Sequence, residues 1–190
     1  MDSALIISSS EKGTEYLVRL LNEASVTNIT TVTSAGEARR LLLEKDFDLC
    51  IINTPLPDEF GGNLAVSIAS SGLSEVILLV KSEYLDEISE KVENYGVITI
   101  AKPISKTLLW NAIKLAQATH KRIKAVQNEN KKLLQKIEDI RIVDRAKCIL
   151  ISHLSMTEPE AHRYIEKQAM DMRVTRREIA ERILRTYENQ

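Results

Sequence analysis

Over residues 1–115, short runs that are apolar or rich in β-branched residues alternate with stretches in which apolar residues recur every three or four positions. The first pattern suits a strand covered on both faces, and the second an amphipathic helix. Strands are predicted at Ala4–Ile7, Ile29–Val32, Asp48–Ile52, Val76–Val80 and Val97–Ile100. Helices are predicted at Glu11–Ala24, with Tyr16, Leu17, Leu20, Leu21 and Ala24 on one side, and at Ala35–Lys45, with Ala38, Leu41 and Leu42 inward. Two more follow at Leu64–Ala69 and Leu85–Asn94, the last stopped by Gly96. Five strands alternating with helices predict a doubly wound α/β domain around a parallel five-stranded sheet.

The pattern then changes period. From Ser105 to about His153 there is neither Pro nor Gly, and a single long helix is predicted. Leu109, Ala112, Ala116, Thr119, Ile123, Val126, Asn130, Leu133, Ile137 and Ile140 are spaced alternately three and four apart, as in a heptad seam. Asn130 occupies an a position. A buried Asn pairs best with its own copy, which favours a parallel, in-register homodimer through Ile123, Val126, Asn130, Leu133, Ile137 and Ile140. The other reading packs this seam on the helix's own domain. Beyond Leu154, Thr157-Glu-Pro-Glu160 and Thr175-Arg-Arg-Glu178 have capping-box spacing and open two short helices. Ile149, Leu150, Ala161, Ile165, Ala169, Ile179, Ala180, Ile183 and Leu184 are spaced to form a three-helix core. The predicted organisation is a first domain at 1–118, a long-helix linker at 105–145 and a small helical domain at 140–188.

Charge sharpens that division. The net charge of −1 conceals 10 Lys/Arg against 16 Asp/Glu in residues 1–115, and 16 against 11 in residues 116–190. An acidic first part and a basic second part suggest two modules, the second facing a polyanion or simply presenting a solvated helical surface. No apolar run is long enough to span a membrane, and no export signal is legible at the N-terminus, so a cytoplasmic location is expected. Cys50 and Cys148 lie in apolar patterns and are expected buried and reduced. His120, His153 and His162 form no metal-ligand spacing with them, so no metal or cofactor is expected.

The third strand runs into Cys50-Ile-Ile-Asn53-Thr-Pro-Leu-Pro57, and Lys102-Pro103 follows the fifth. Chemistry in an open parallel sheet gathers at these carboxyl ends. The segment from Asp48 to Pro57, together with Lys102-Pro103, resembles the receiver domain of response regulators, a flavodoxin-like fold, over roughly residues 2–120. The resemblance places Asn53 at the phosphoacceptor position. Ser8, Ser9 and Ser10 stand where receivers carry an acid pair for Mg²⁺, Val80 where they carry a hydroxyl, and Thr99 near the usual aromatic switch residue. Lys102 alone remains of the reactive set. An amide cannot form an acyl phosphate, and hydroxyls supply no charge to offset the dehydration of Mg²⁺. A pseudo-receiver is therefore expected, controlled by a partner protein or small ligand and not by phosphorylation.

Residues 140–185 resemble the ANTAR module of transcription antiterminators. The match lies in Asp144-Arg-Ala146-Lys147-Cys-Ile-Leu150, in Met156 to Met170 and in Arg173-Val-Thr-Arg-Arg-Glu-Ile179-Ala180, with Cys148 where Gly is usual and His162 where an aromatic is common. The resemblance implies a dimer that binds paired hairpins in leader transcripts and prevents terminator formation. Lys147, Arg163, Lys167, Arg173, Arg176 and Arg177 are the candidate phosphate contacts, and Tyr164 and His162 are candidates for stacking on splayed bases. Ala146 would allow close backbone approach. Arg176 and Arg177 sit in a helix's first turn, where positive charge opposes the dipole and hints at a use.

Two other classes stay open. One is a DNA-binding or protein-interaction response regulator with a helical output domain, which needs base-reading side chains on an exposed recognition helix. The other is a flavodoxin-like enzyme or nucleotide binder. That class needs a Gly-rich phosphate loop or a carboxylate set, and the segment SSSEKG after the first strand supplies neither, so no catalytic residue is expected.

Overall fold

A computed structural model describes residues 1–187. Five parallel strands, β1 (Ser3–Ser8), β2 (Asn28–Val32), β3 (Leu49–Asn53), β4 (Glu75–Lys81) and β5 (Ile98–Lys102), form one sheet in the order β2-β1-β3-β4-β5. The three central strands β1, β3 and β4 are almost wholly buried, as their unbroken apolar runs require, whereas β2 and β5 lie at the edges and are half-covered.

Alternation along each strand sorts side chains into two cores. Ala4, Ile6, Leu49, Ile51, Ile77 and Leu79 face one side of the sheet. There they pack against Leu17, Leu20 and Leu21 of α1 (Glu11–Glu23) and Leu109, Ala112, Ile113 and Ala116 of α5 (Lys106–Leu154). Leu5, Ile7, Cys50, Ile52, Val76 and Leu78 face the other side. They meet Ala35 and Ala38 of α2 (Ala35–Glu44), Leu64, Ala65 and Ile68 of α3 (Gly62–Ser70), and Val92 of α4 (Leu85–Val92). Gly61, just before α3, has φ +107°, and a Cβ there would come within 3.0 Å of Ile52 Cγ2, so only glycine suits the turn.

The chain divides into two compact units, Met1–Lys124 and Ala125–Gln190, and α5 is a single 49-residue helix whose residues belong to both. The second unit closes around a core of its own. Ala146 and Leu150 of α5 pack with Ala161, Ile165 and Ala169 of α6 (Glu158–Met172) and with Ile179, Ala180, Ile183 and Leu184 of α7 (Arg176–Tyr187). The Glu160 carboxylate accepts from both the N–H (2.8 Å) and the hydroxyl (2.7 Å) of Thr157, fixing the start of α6. The Glu178 N–H donates to Thr175 Oγ1 at 3.2 Å, which does the same for α7. The second domain was expected to run to residue 188, which lies outside the described residues.

Two sequence expectations are revised. Leu109, Ala112 and Ala116, read as the start of the seam, are buried in the first unit's own core, because α5 there is a core helix of the α/β layer. Cys148 is exposed, while Cys50 is buried as expected. Apolar neighbours in sequence do not bury a position on a helix's outer face.

Candidate nucleic-acid interface and strand-end site

At the carboxyl edge of the sheet, parallel pairing sets Ser8 of β1 beside Asn53 of β3, and both side chains are at least nine-tenths buried. Asn53 Nδ2 donates to Ser8 Oγ at 2.9 Å, and Ser8 Oγ also accepts from the Ser10 N–H at 3.3 Å. Ser9 is exposed. The first turn of α1 is pressed against the amide, since a Cβ on Gly13 would lie 2.8 Å from Asn53 Nδ2. Asn53 Oδ1 is buried with no hydrogen-bond partner among the described residues.

The two acids that could have turned into this site are committed elsewhere. Asp58 accepts from the N–H groups of Ala35 (2.9 Å) and Gly36 (2.8 Å), which hold its carboxyl below the usual range. Glu59 pairs with Arg39 at 2.7 Å. The Lys102 ammonium donates to the Thr54 carbonyl, and burial, with Lys81 nearby, lowers its pKa. Val80 is fully buried, and the hydroxyl of Thr99 is engaged with that of Ser89 at 2.6 Å. Ser8, Ser9, Asn53 and Lys102 thus form a site with no carboxylate. It does not fit Mg²⁺, which needs anionic oxygen, and it has no carboxylate to form an acyl phosphate.

In the second unit the candidate contact residues fall into two groups. Arg163, Tyr164 and Lys167 are exposed on α6, and Arg173 is exposed at its end. Arg163, Lys167 and Arg173 make no ion pair among the described residues. Arg173 adopts a left-handed conformation, φ 54°, at the cap of α6, where glycine is the usual choice.

The second group is neutralised in place. Lys147 Nζ lies 2.8 Å from Asp144 Oδ1 and 2.9 Å from Glu158 Oε1, which raise its pKa. Arg177 contacts Asp139 at 2.7 Å and Glu181 at 2.8 Å, and Arg176 and His162 both meet Glu166, at 3.1 and 3.3 Å. The two arginines in the first turn of α7 are therefore compensated by carboxylates, which removes the dipole argument for a ligand there. Ala146 is wholly buried, so it sets how closely the helices approach and offers no surface. These acids were not singled out from the sequence. The i,i+3 and i,i+4 spacings of Asp144–Lys147 and His162–Glu166 could have revealed two pairs, but nothing local links Asp139 to Arg177.

Between α5, α6 and the start of α7 lies a hollow of about 430 Å³. Its walls include Asp139, Asp144, Lys147, His162, Thr175 and Arg177. Along α5 itself, Ile123, Val126, Leu133, Ile137 and Ile140 are 41–61% exposed, and Asn130 is exposed among them. No helix among the described residues is long and apolar enough to cross a membrane.

Residues 131–184 match the family model of the ANTAR domain. The chain is similar to the transcriptional regulatory protein PdtaR of Mycobacterium tuberculosis, strains CDC 1551 / Oshkosh and ATCC 25618 / H37Rv, at 29% identity over 170 residues. That match covers 90% of this chain and 83% of the relative. Among solved structures, a signal receiver domain of an HD domain-containing protein from Pseudomonas fluorescens Pf-5 is similar with a TM-score of 0.58 at 24% identity. It covers 65% of this chain and 91% of that one. A two-component response regulator from Clostridium difficile is similar with a TM-score of 0.53 at 18% identity, covering 62% of this chain and 97% of that one. Both likenesses concern the fold.

Proposed function

From a chain that joins a receiver fold to an ANTAR domain, we propose a transcriptional regulator, not an enzyme, that acts by antitermination. As a homodimer it binds paired hairpins in leader transcripts and holds them against formation of the overlapping terminator. The observation that carries this reading is the exposed face formed by Arg163, Tyr164, Lys167 and Arg173. These cations make no close ion pair among the described residues, which supports contact with phosphates, and the exposed Tyr164 ring suits stacking on an unpaired base. Dimerisation uses the exposed stripe from Ile123 to Ile140, with Asn130 pairing to its copy and setting the register. The first unit acts as a pseudo-receiver. Without a carboxylate at Asn53 or an acid pair, its input is a protein partner or small ligand that changes how freely the second unit meets RNA.

The test is a gel shift of purified protein on a paired-hairpin leader RNA at two salt concentrations, with duplex DNA of equal length as the control. Wild type should prefer the RNA, with affinity falling steeply as salt rises. Arg163→Ala with Lys167→Ala should stay folded and lose roughly one unit of the log–log salt slope per phosphate contact removed. Equal binding to duplex DNA, or an unchanged slope in the double variant, would remove the reading.

A further inference from the structure

The positive charge of the chain's second part is not spread evenly. Residues 116–190 carry 16 Lys/Arg against 11 Asp/Glu, and six of those cations fall within residues 121–136, where Glu129 is the one acid. What remains of residues 116–190 balances at ten against ten. The whole positive excess therefore lies on the linker stretch of α5, and the helical module after it is neutral. Every residue from 121 to 136 is exposed in the single chain. Lys121, Arg122, Lys124, Lys131, Lys132 and Lys136 make no close ion pair among the described residues.

The proposed dimer leaves this charge in place. With Ile123 and Asn130 at a positions, Lys121, Lys124, Lys131 and Lys132 take f, b, b and c positions, which point away from the seam. Arg122 and Lys136 take g positions, where they face Gln127 and Arg141 of the second copy, so neither meets an acid across the seam. Lys121 and Lys124 are three apart on the helix and Lys132 and Lys136 four apart, a like-charge spacing that costs stability. A polyanion laid along the linker relieves these repulsions and gains by releasing its counterions. A helix lying on a membrane needs a free apolar face, and the apolar stripe here is taken by the seam. Residues 121–136 hold no aromatic side chain, so they offer no platform for stacked single-stranded bases. Duplex phosphates are the polyanion that fits.

We infer that the linker is a second, sequence-independent RNA contact that grips the phosphates of the duplex stem below the hairpin loop, an inference that rests on the RNA-binding function proposed above. The helical module then reads the loop, and the linker supplies affinity without sequence information.

The test uses the full-length protein and the combined variant Lys121→Gln, Lys124→Gln, Lys131→Gln and Lys132→Gln. Its altered side chains point outward, so it should melt and sediment as wild type does. Anisotropy titrations over a range of salt compare hairpins with one loop on a short or a long stem, and a scrambled loop on the long stem. Wild type should bind the long stem more tightly than the short one, and the variant should lose that advantage. On the long stem the variant should bind at least roughly tenfold more weakly, with a log–log salt slope shallower by at least about two units. Its preference for the native loop over the scrambled one should stay at the wild-type ratio. Three results overturn the inference while leaving RNA binding intact. The variant keeps the wild-type affinity and slope, as it would if the lysines were only solvated; or it loses equally on short and long stems; or it loses instead a wild-type affinity for phosphatidylserine vesicles, which would assign the face to lipid. If wild type binds no hairpin at all, the RNA-binding function falls and the linker contact with it.

Discussion

At Asn53 an amide, not an acid, ends β3. Its Nδ2 is tied to Ser8, the first turn of α1 is packed against it, and the nearby acids Asp58 and Glu59 are engaged elsewhere. Restoring one carboxylate therefore does not restore the chemistry: Asn53→Asp, incubated with acetyl phosphate and Mg²⁺, should show no phosphoryl adduct by intact mass. A stoichiometric adduct would show that the serines or Lys102 suffice, and would refute the pseudo-receiver. Arg173 poses the opposite problem, since its left-handed backbone is a conformation L side chains adopt at a cost. Arg173→Gly relieves that cost, offset in part by glycine's greater freedom when unfolded, so the variant should be between equally stable and about 1 kcal/mol more stable. It should nonetheless bind RNA more weakly. Thermal melts and gel shifts on the same protein separate the two effects, and unchanged RNA affinity would mean the strain serves something else.

At the scale of elements, Asp48 ties the start of β3 to two others. Its carboxylate accepts from the N–H groups of Asp2 (2.5 Å) and Ser3 (3.2 Å) before β1, and lies 3.1 Å from His120 of α5. Burial pushes its pKa up, but the two N–H donors and His120 outweigh burial and leave it lowered. A lowered carboxylate pKa contributes stability that is present above the unfolded value, ~4, and is lost as pH falls through the folded one. The melting temperature of the first unit should drop as pH falls below ~4, and Asp48→Asn should flatten that drop. Asn130 belongs to the same scale. Asn130→Leu should stabilise the assembly by on the order of 1–2 kcal/mol per chain while letting register or oligomer number vary in sedimentation velocity. A strictly dimeric, unshifted variant would show that Asn130 does not face its copy. The central strands were legible because burial on both faces leaves an unbroken apolar run, and the short helices because Thr157 and Thr175 mark their starts. The seam was legible only in part. Three- and four-residue spacing reports an apolar face and not what covers it, so Leu109, Ala112 and Ala116 read alike with Leu133 and Ile137 though they lie in a core. Of the candidate site, the residue types were visible. The carboxylates that neutralise Lys147 and Arg177 were not, because Asp139 and Arg177 meet only through the fold.

At the scale of the whole molecule, affinity and assembly should separate. A homodimer carries two copies of the basic face, and a leader with two hairpins carries two targets. The second contact is then intramolecular, and its gain depends on linkage with no new contact needed. Ile137→Asp places a charge in the exposed apolar stripe, 48% exposed in the single chain, without touching the core of either unit. The variant should be monomeric in sedimentation experiments and keep its single-hairpin affinity within about threefold, because Arg163, Lys167 and Arg173 are unaltered. Its affinity for the paired-hairpin leader should fall by roughly 10²- to 10⁴-fold, to that for one hairpin. Terminator read-through in a transcription assay should fall with it. If the monomer holds the paired leader as tightly as wild type, one chain suffices, and the stripe on α5 must serve another partner. If the loss is equal on one hairpin and on two, the dimer seam and the RNA surface are not separate, and the assignment of Ile123–Ile140 to assembly alone would fail.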